Sequence, residues 1–138
     1  MKPADIVVIV LAHNEERRIA ACLASLPDAP VHVVVNGSTD RTAAIARTFG
    51  VTVHDWPAGG KARSWNRIML DTPGIEADCY ILVDGDAEVL PGSIDTLAAA
   101  LTSDPAANAA AGLPANGRSV NRYRAEALAT HEIGRAHV

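Results

Sequence analysis

A chain of 138 residues is one domain by length, with room for a sizeable core but not for two. Its 49% hydrophobic and 20% charged residues are globular values that exclude a disordered chain, and a net charge of −4 with a sequence pI near 5.6 excludes a nucleic-acid-binding surface as its main business. Cys22 and Cys79 share no metal-ligand spacing, no signal peptide precedes the first strand, and no apolar run nears the ~18 residues of a membrane helix, so the sequence reads as a soluble, cytoplasmic protein with reduced thiols.

Residues 6–11 are wholly apolar and rich in Val and Ile, the pattern of a central strand. A helix is predicted directly after it, with Asn14 as N-cap and Glu15 and Glu16 in the first turn, where the macrodipole favours acids. Ile19, Cys22, Leu23 and Leu26 recur at helical spacing, and Pro27 closes the element. Residues 31–35 form a second strand that delivers Asn36-Gly37-Ser38-Thr39-Asp40, a run of turn and capping residues. A helix over 40–49 turns Ala44, Ile45 and Phe49 inward, and Gly50 takes the C′ position. Residues 51–54 read as a third strand, 56–60 as a loop, and 61–70 as a helix with Ala62, Trp65, Ile68 and Met69 on one face. Residues 79–83 are a strand expected to be buried on both faces, and Ile94, Leu97, Ala98 and Leu101 mark a fourth helix. A further strand over 106–113 and a helix over 120–130 end the reading.

Strands alternating with helices predict an α/β fold, a mostly parallel sheet with helices on both faces. Three loops rich in small polar residues then converge on the carboxyl edge of that sheet, where such folds bind ligands: His13-Asn14-Glu15, Asn36-Gly37-Ser38 and Asp84-Gly85-Asp86. If the chain stays extended, Asp84 and Asp86 turn to the same side ~7 Å apart. Their repulsion is about 2 kcal/mol at an effective dielectric of about 20. A hard divalent cation suits the pair, because Mg²⁺ takes one or two carboxylates plus substrate phosphates; an Asp-Gly surface turn is the alternative.

Other motifs narrow the choice. The residues around Gly60 do not form a P-loop, and no G-x-G-x-x-G follows the first strand, which argues against a nicotinamide or flavin site. Gly59-Gly60-Lys61 opens a helix with free amide donors and a cation, suited to a diphosphate, or is an ordinary flexible loop. His13 touches a ligand or is merely exposed, His32 and His54 read as structural, and Trp65 reads as core. No Ser-His-Asp or Cys-His arrangement can be assembled.

Ile6 to Glu16, Asn36-Gly37-Ser38-Thr39-Asp40-Arg41-Thr42, Gly60-Lys61-Ala62-Arg63-Ser64-Trp65-Asn66 and Val83-Asp84-Gly85-Asp86 occur in the order and spacing of family 2 glycosyltransferases, which residues 5–101 resemble. The resemblance implies an inverting enzyme with the Rossmann-like GT-A nucleotide-diphospho-sugar transferase fold. Its donor is a nucleotide-diphosphate sugar and its acceptor a glycan, a lipid or a small molecule. Leu11, Ala12, His13, Asn14 and Glu15 resemble the loop that walls the nucleotide base. Asn36, followed by Gly37 and Ser38, falls at the second Asp of an Asp-Asp-Gly-Ser block, the residue that reads the base. Lys61 and Asn66 resemble the segment near the donor diphosphate. Asp84, Gly85 and Asp86 resemble the DXD motif, with Asp86 closest to an Mg²⁺ or Mn²⁺ ion and Asp84 towards ribose and metal.

The chain departs from the family pattern in two places. Val35-Asn36 replaces the usual Asp-Asp, and an amide both donates and accepts where a carboxylate only accepts, so the donor base need not be that of uridine-type donors. The family's general base comes from a later segment; Glu126 and Glu132 lie in no recognisable acceptor-side motif, so the base is expected beyond the chain end. The run Glu132-Ile133-Gly134-Arg135-Ala136-His137-Val138 resembles an in-frame translation of a short-read sequencing adapter. Residues 1–131 are therefore expected to be an incomplete, truncated donor-binding domain and 132–138 a non-native tail. Two readings compete. A nucleotidyltransferase wants a glycine-rich basic loop where this chain has His13-Asn14-Glu15-Glu16. A non-enzymatic phospho-accepting receiver module uses Glu15, Glu16 and Asp84, and leaves the other blocks unexplained.

Overall fold

The computed structural model describes residues 5–107 and 109–110. Strands and helices alternate as β1 (Ile6–Ala12), α1 (Ile19–Ala24), β2 (Val31–Asn36), α2 (Thr42–Arg47), β3 (Thr52–Trp56), α3 (Lys61–Leu70), β4 (Cys79–Asp84) and α4 (Ser93–Ser103). The chain divides into a unit ending at Pro91 and a second beginning at Gly92. In the second, α4 buries Ile94 and Ala98, one turn apart on one stripe.

In the first unit, all four strands are parallel and lie in the order β3-β2-β1-β4. β1 lies between β2 and β4 and is buried from Val7 to Ala12, which is why its sequence is apolar at every position. Val7, Ile9, Leu11 and Val34 form one cluster with Ile68 of α3 and Ile75, with Trp56, Trp65, Ala77 and Tyr80 packed against it. Each fully buried aliphatic side chain of this kind stabilises the fold by about 1.5–3 kcal/mol. Val8, Val10, Val33 and Val35 alternate to the other face, where α1 and α2 pack together and bury Ile19, Cys22, Leu23, Ala43 and Ala46. Successive crossovers step from β1 to β2 to β3. The next, through α3, returns past β1 to β4. The direction of winding therefore reverses between β1 and β4, and the carboxyl ends of such neighbours form the ligand-binding crevice of doubly wound sheets.

Several local expectations change. Helix α1 begins at Ile19 rather than at Asn14, and its N-cap, Arg18, makes no side-chain capping bond. Asn14 takes a left-handed φ of 50°, and its Oδ1 accepts from the Thr39 amide, so it cannot cap. Glu15 and Glu16 donate their amides to Thr42 Oγ1 and Asp40 Oδ2, across to the next loop instead of into a helix turn.

Because Asp40 is drawn into that contact, α2 starts at Thr42, and its inward face is Thr42, Ala43 and Ala46. Ala44 and Phe49, expected inside, are exposed. Helix α3 keeps its predicted bounds but buries Ser64 and Ile68, with Trp65 half-buried and Ala62 and Met69 outside. β4 ends the described sheet and is not buried on both faces: Leu82 is 55% exposed. Residues 105–106 form a turn where a strand was expected, residues 107, 109 and 110 carry no strand, and the rest of that strand and the 120–130 helix lie outside the described residues.

Candidate active site at the carboxyl edge of the sheet

The loops after β1 and β2 are sewn together by reciprocal bonds between one loop's amides and the other's side chains. The Asn14 amide donates to Ser38 Oγ at 2.9 Å, and the Thr39 amide donates back to Asn14 Oδ1 at 2.9 Å. The Glu16 amide donates to Asp40 Oδ2, and the Arg41 amide to Glu16 Oε2. Thr42 is fully buried, its Oγ1 accepting from the Glu15 amide and donating to Asp40 Oδ1. That hydroxyl bond holds the Asp40 carboxyl below its usual range. Loop amides left unpaired by the missing helix turn are thus satisfied, as backbone donors in folded proteins must be. A polar cleft of about 360 Å³ is lined by Asn14, Glu15, Glu16, Arg17, Arg18 and Asp40.

Asn36 ends β2 nearly buried, and its Oδ1 accepts a 2.9 Å bond from Ser64 Oγ on α3. Its carbonyl accepts from His13 Nδ1 at 2.7 Å, which fixes the tautomer and leaves Nε2 facing Asn14 Nδ2 at 3.5 Å. Gly37 has a φ of 63° and donates its amide to the Trp56 carbonyl, and a Cβ there would meet Gly59 Cα at 2.9 Å. Only glycine fits both the dihedral and the contact. The β2 loop is thereby pressed onto the loop that leads into Lys61.

Asp84 and Asp86 do not continue an extended strand as the period-two argument supposed. The chain turns at Gly85, and the Ala87 amide closes the turn on the Asp84 carbonyl at 2.9 Å. The Asp-Gly turn and the carboxylate pair therefore coexist. The Gly85 amide bonds the Leu11 carbonyl, and a Cβ on Gly85 would sit 2.8 Å from Ala12 Cβ. Each carboxylate carries a cation from a different segment: Lys61 Nζ, at the start of α3, lies 3.5 Å from Asp84 Oδ1, and Arg18 Nη1 lies 3.5 Å from Asp86 Oδ2.

The site is electronegative. Partial burial, followed by the charge of Asp86, raises the Glu15 carboxyl above its ordinary range. The Cys22 thiol, which bonds the Asp84 carbonyl, is pushed up to about 11 by burial first and then by Asp86, Asp84, Glu15 and Glu88. Hard carboxylate oxygens in an acidic crevice, already paired with cations, are a donor set that fits Mg²⁺ or Mn²⁺. Among the described residues no three His, Cys, Asp or Glu side chains gather into a closed metal cage, so such an ion would need further ligands, as Mg²⁺ commonly takes from substrate phosphates.

The expected residues are linked in separate sets, His13 to Asn36, Asn14 to Ser38, Lys61 to Asp84 and Gly85 to Leu11, and of them Asn14 and Glu15 line the cleft. Asn66 stands apart: it lies on the exposed side of α3, and its side chain makes no hydrogen bond or ion pair among the described residues. Sequence reasoning missed Arg18, Ser64 and the Asp40–Thr42 clamp as site residues. Ser64 was legible as a small polar residue one turn before Ile68; Arg18 carried no signal beyond following two acids.

The family described as Glycosyl transferase family 2 matches residues 7–135. Protein RfbJ of Shigella flexneri is 38% identical over 86 residues, covering 59% of this chain and 64% of that protein. A 4,4'-diaponeurosporenoate glycosyltransferase of Staphylococcus aureus is 46% identical over 101 residues, covering 67% of this chain and 27% of that protein. The chain spans less than two thirds of either relative. With the α/β sheet, its winding reversal and the family match in place, the chain belongs to glycosyl transferase family 2.

Proposed function

We propose that this chain forms the donor-binding part of a metal-assisted, inverting glycosyltransferase that moves a sugar from a nucleotide-diphosphate sugar to an acceptor. The observation that carries the reading is the pair of aspartates at the carboxyl ends of β1 and β4, each paired with a cation from a neighbouring segment. In such a transfer an acceptor hydroxyl loses its proton to a general base as its oxygen attacks the anomeric carbon from the side opposite the diphosphate. The bond to the leaving phosphate oxygen breaks, and negative charge builds on the diphosphate. A divalent ion, when bound, supplies Lewis-acid stabilisation of that charge.

Asp84 and Asp86 hold the ion in this reading, and Lys61 reaches the diphosphate. Asn36, oriented by Ser64 and His13, faces the base beside the wall formed by Leu11, Ala12, His13, Asn14 and Glu15. The clamp between the β1 and β2 loops keeps that wall rigid, so little ordering is lost on binding. No carboxylate among the described residues is assigned as general base. No helix among them is long and apolar enough to cross a membrane. The free, buried thiols of Cys22 and Cys79 support a reducing, cytoplasmic setting.

Thermal unfolding with a panel of nucleoside diphosphates tests the reading. At 100 times the dissociation constant a ligand stabilises its native host by about 2.7 kcal/mol, so one or more nucleotides should raise the melting temperature with Mn²⁺ and not with chelator. Equal melting temperatures with every nucleotide, with and without Mn²⁺, overturn it.

A further inference from the structure

We propose that Arg18 is a second diphosphate-binding cation of this site, one that pairs with Asp86 in the free protein and passes to the diphosphate when a divalent ion takes the carboxylates. The inference rests on the metal–diphosphate reading of Asp84 and Asp86 and adds to it a residue from the β1 loop.

Three observations carry it. First, the turn at Gly85 is met by two cations from separate segments, Lys61 at the start of α3 on Asp84 and Arg18 of the β1 loop on Asp86, each 3.5 Å away. Both pairs are open to solvent, with Arg18 66% exposed, and exposed pairs are weak enough to exchange. Second, the carboxylates outnumber these cations. Glu15, Glu16 and Asp40 line the cleft beside Arg18, and among the described residues only Arg18 and Lys61 pair with the two aspartates. A divalent ion brings the missing charge and competes directly with the guanidinium for Asp86.

Third, the Arg18 guanidinium makes no ion pair or side-chain hydrogen bond among the described residues other than that to Asp86, so nothing else holds it in place. A guanidinium released beside the ion presents a planar fork of donors that matches phosphate oxygens in two-point contacts, which an ammonium cannot copy. Arg18 therefore opposes the bare ion and favours the ion–diphosphate complex. A residue with a purely structural role does neither.

Calorimetry on the full chain and on Arg18→Gln tests this, with Mn²⁺ alone and then with inorganic pyrophosphate at saturating Mn²⁺. Removing an exposed competing ion pair should tighten Mn²⁺ alone by about two- to fivefold. Losing a forked charge-assisted contact should weaken pyrophosphate by about tenfold or more, with Arg18→Lys between the two. Opposite shifts support the proposal; shifts of the same sign, or none, overturn it. If the unaltered chain binds neither probe, the metal–diphosphate reading itself fails and Arg18 falls with it. If it binds both in an Asp86-dependent way while Arg18→Gln changes nothing, only the role of Arg18 fails.

Discussion

Ser64 Oγ donates a 2.9 Å hydrogen bond to Asn36 Oδ1, and both residues are buried, which ties the first turn of α3 to the last residue of β2. It also fixes the position of Lys61, because Ser64 and Lys61 share α3.

Ser64→Ala should therefore destabilise the chain by about 1–3 kcal/mol, the cost of leaving a buried acceptor unpaired. Urea unfolding measures that loss. Nucleoside diphosphate affinity should fall alongside it, since the Asn36 amide is then free to rotate.

Gly85→Ala drives a methyl group to 2.8 Å from Ala12 Cβ and 3.2 Å from Ala12 Cα, both on the rigid central strand. Overpacking of this kind costs about 1–3 kcal/mol. Chemical denaturation should show the loss, and Mn²⁺ affinity should drop because the aspartates shift with the turn. Gly74→Ala, where no atom lies within 4 Å, carries only the penalty of its φ of 83° and should leave Mn²⁺ affinity unchanged.

His32 Nδ1 and His54 Nε2 lie 3.0 Å apart on neighbouring strands, a spacing that one shared proton satisfies and two charged rings do not. Burial lowers both rings from the ordinary 6.5, and for His54 the charges of His32 and of Arg67, which stacks over Trp56, add to it. Depressed histidines mean that the unfolded chain binds more protons. The stabilisation is complete above about pH 6.5 and is lost as the pH falls through the lowered values. Urea midpoints should drop between pH 7.5 and pH 5.5, and His54→Phe should flatten that dependence.

Cys22 should resist alkylation. Its thiol is buried and pushed up to about 11, so at pH 8 almost no thiolate is present to react. Iodoacetamide labelling followed by mass spectrometry should show Cys22 modified orders of magnitude faster in urea than in the native protein.

How much was legible in the sequence depends on how local the determining physics is. The apolar run of β1 and the strand–helix alternation fix the sheet, because burial on both faces leaves its mark at every position. The placing of the loops after β1, β2 and β4 at one edge follows from parallel topology and was equally readable. The helix start at Asn14 was not, because Asn14 satisfies Thr39 in another loop, and a long-range bond cannot be seen in a local capping pattern. Leu82 and Phe49 were misplaced for a related reason: periodicity assigns a face, but strand order and the true helix start decide what covers it. The His32–His54 pair required the β2–β3 register, which no spacing within either strand encodes.

The most direct measurement is the electron paramagnetic resonance of free Mn²⁺ titrated with the chain and with the Asp84→Asn/Asp86→Asn double variant. The expected result is loss of the free-ion signal in proportion to the unaltered chain, with the signal largely retained beside the double variant. Equal free Mn²⁺ in both samples would contradict a metal held by these two carboxylates.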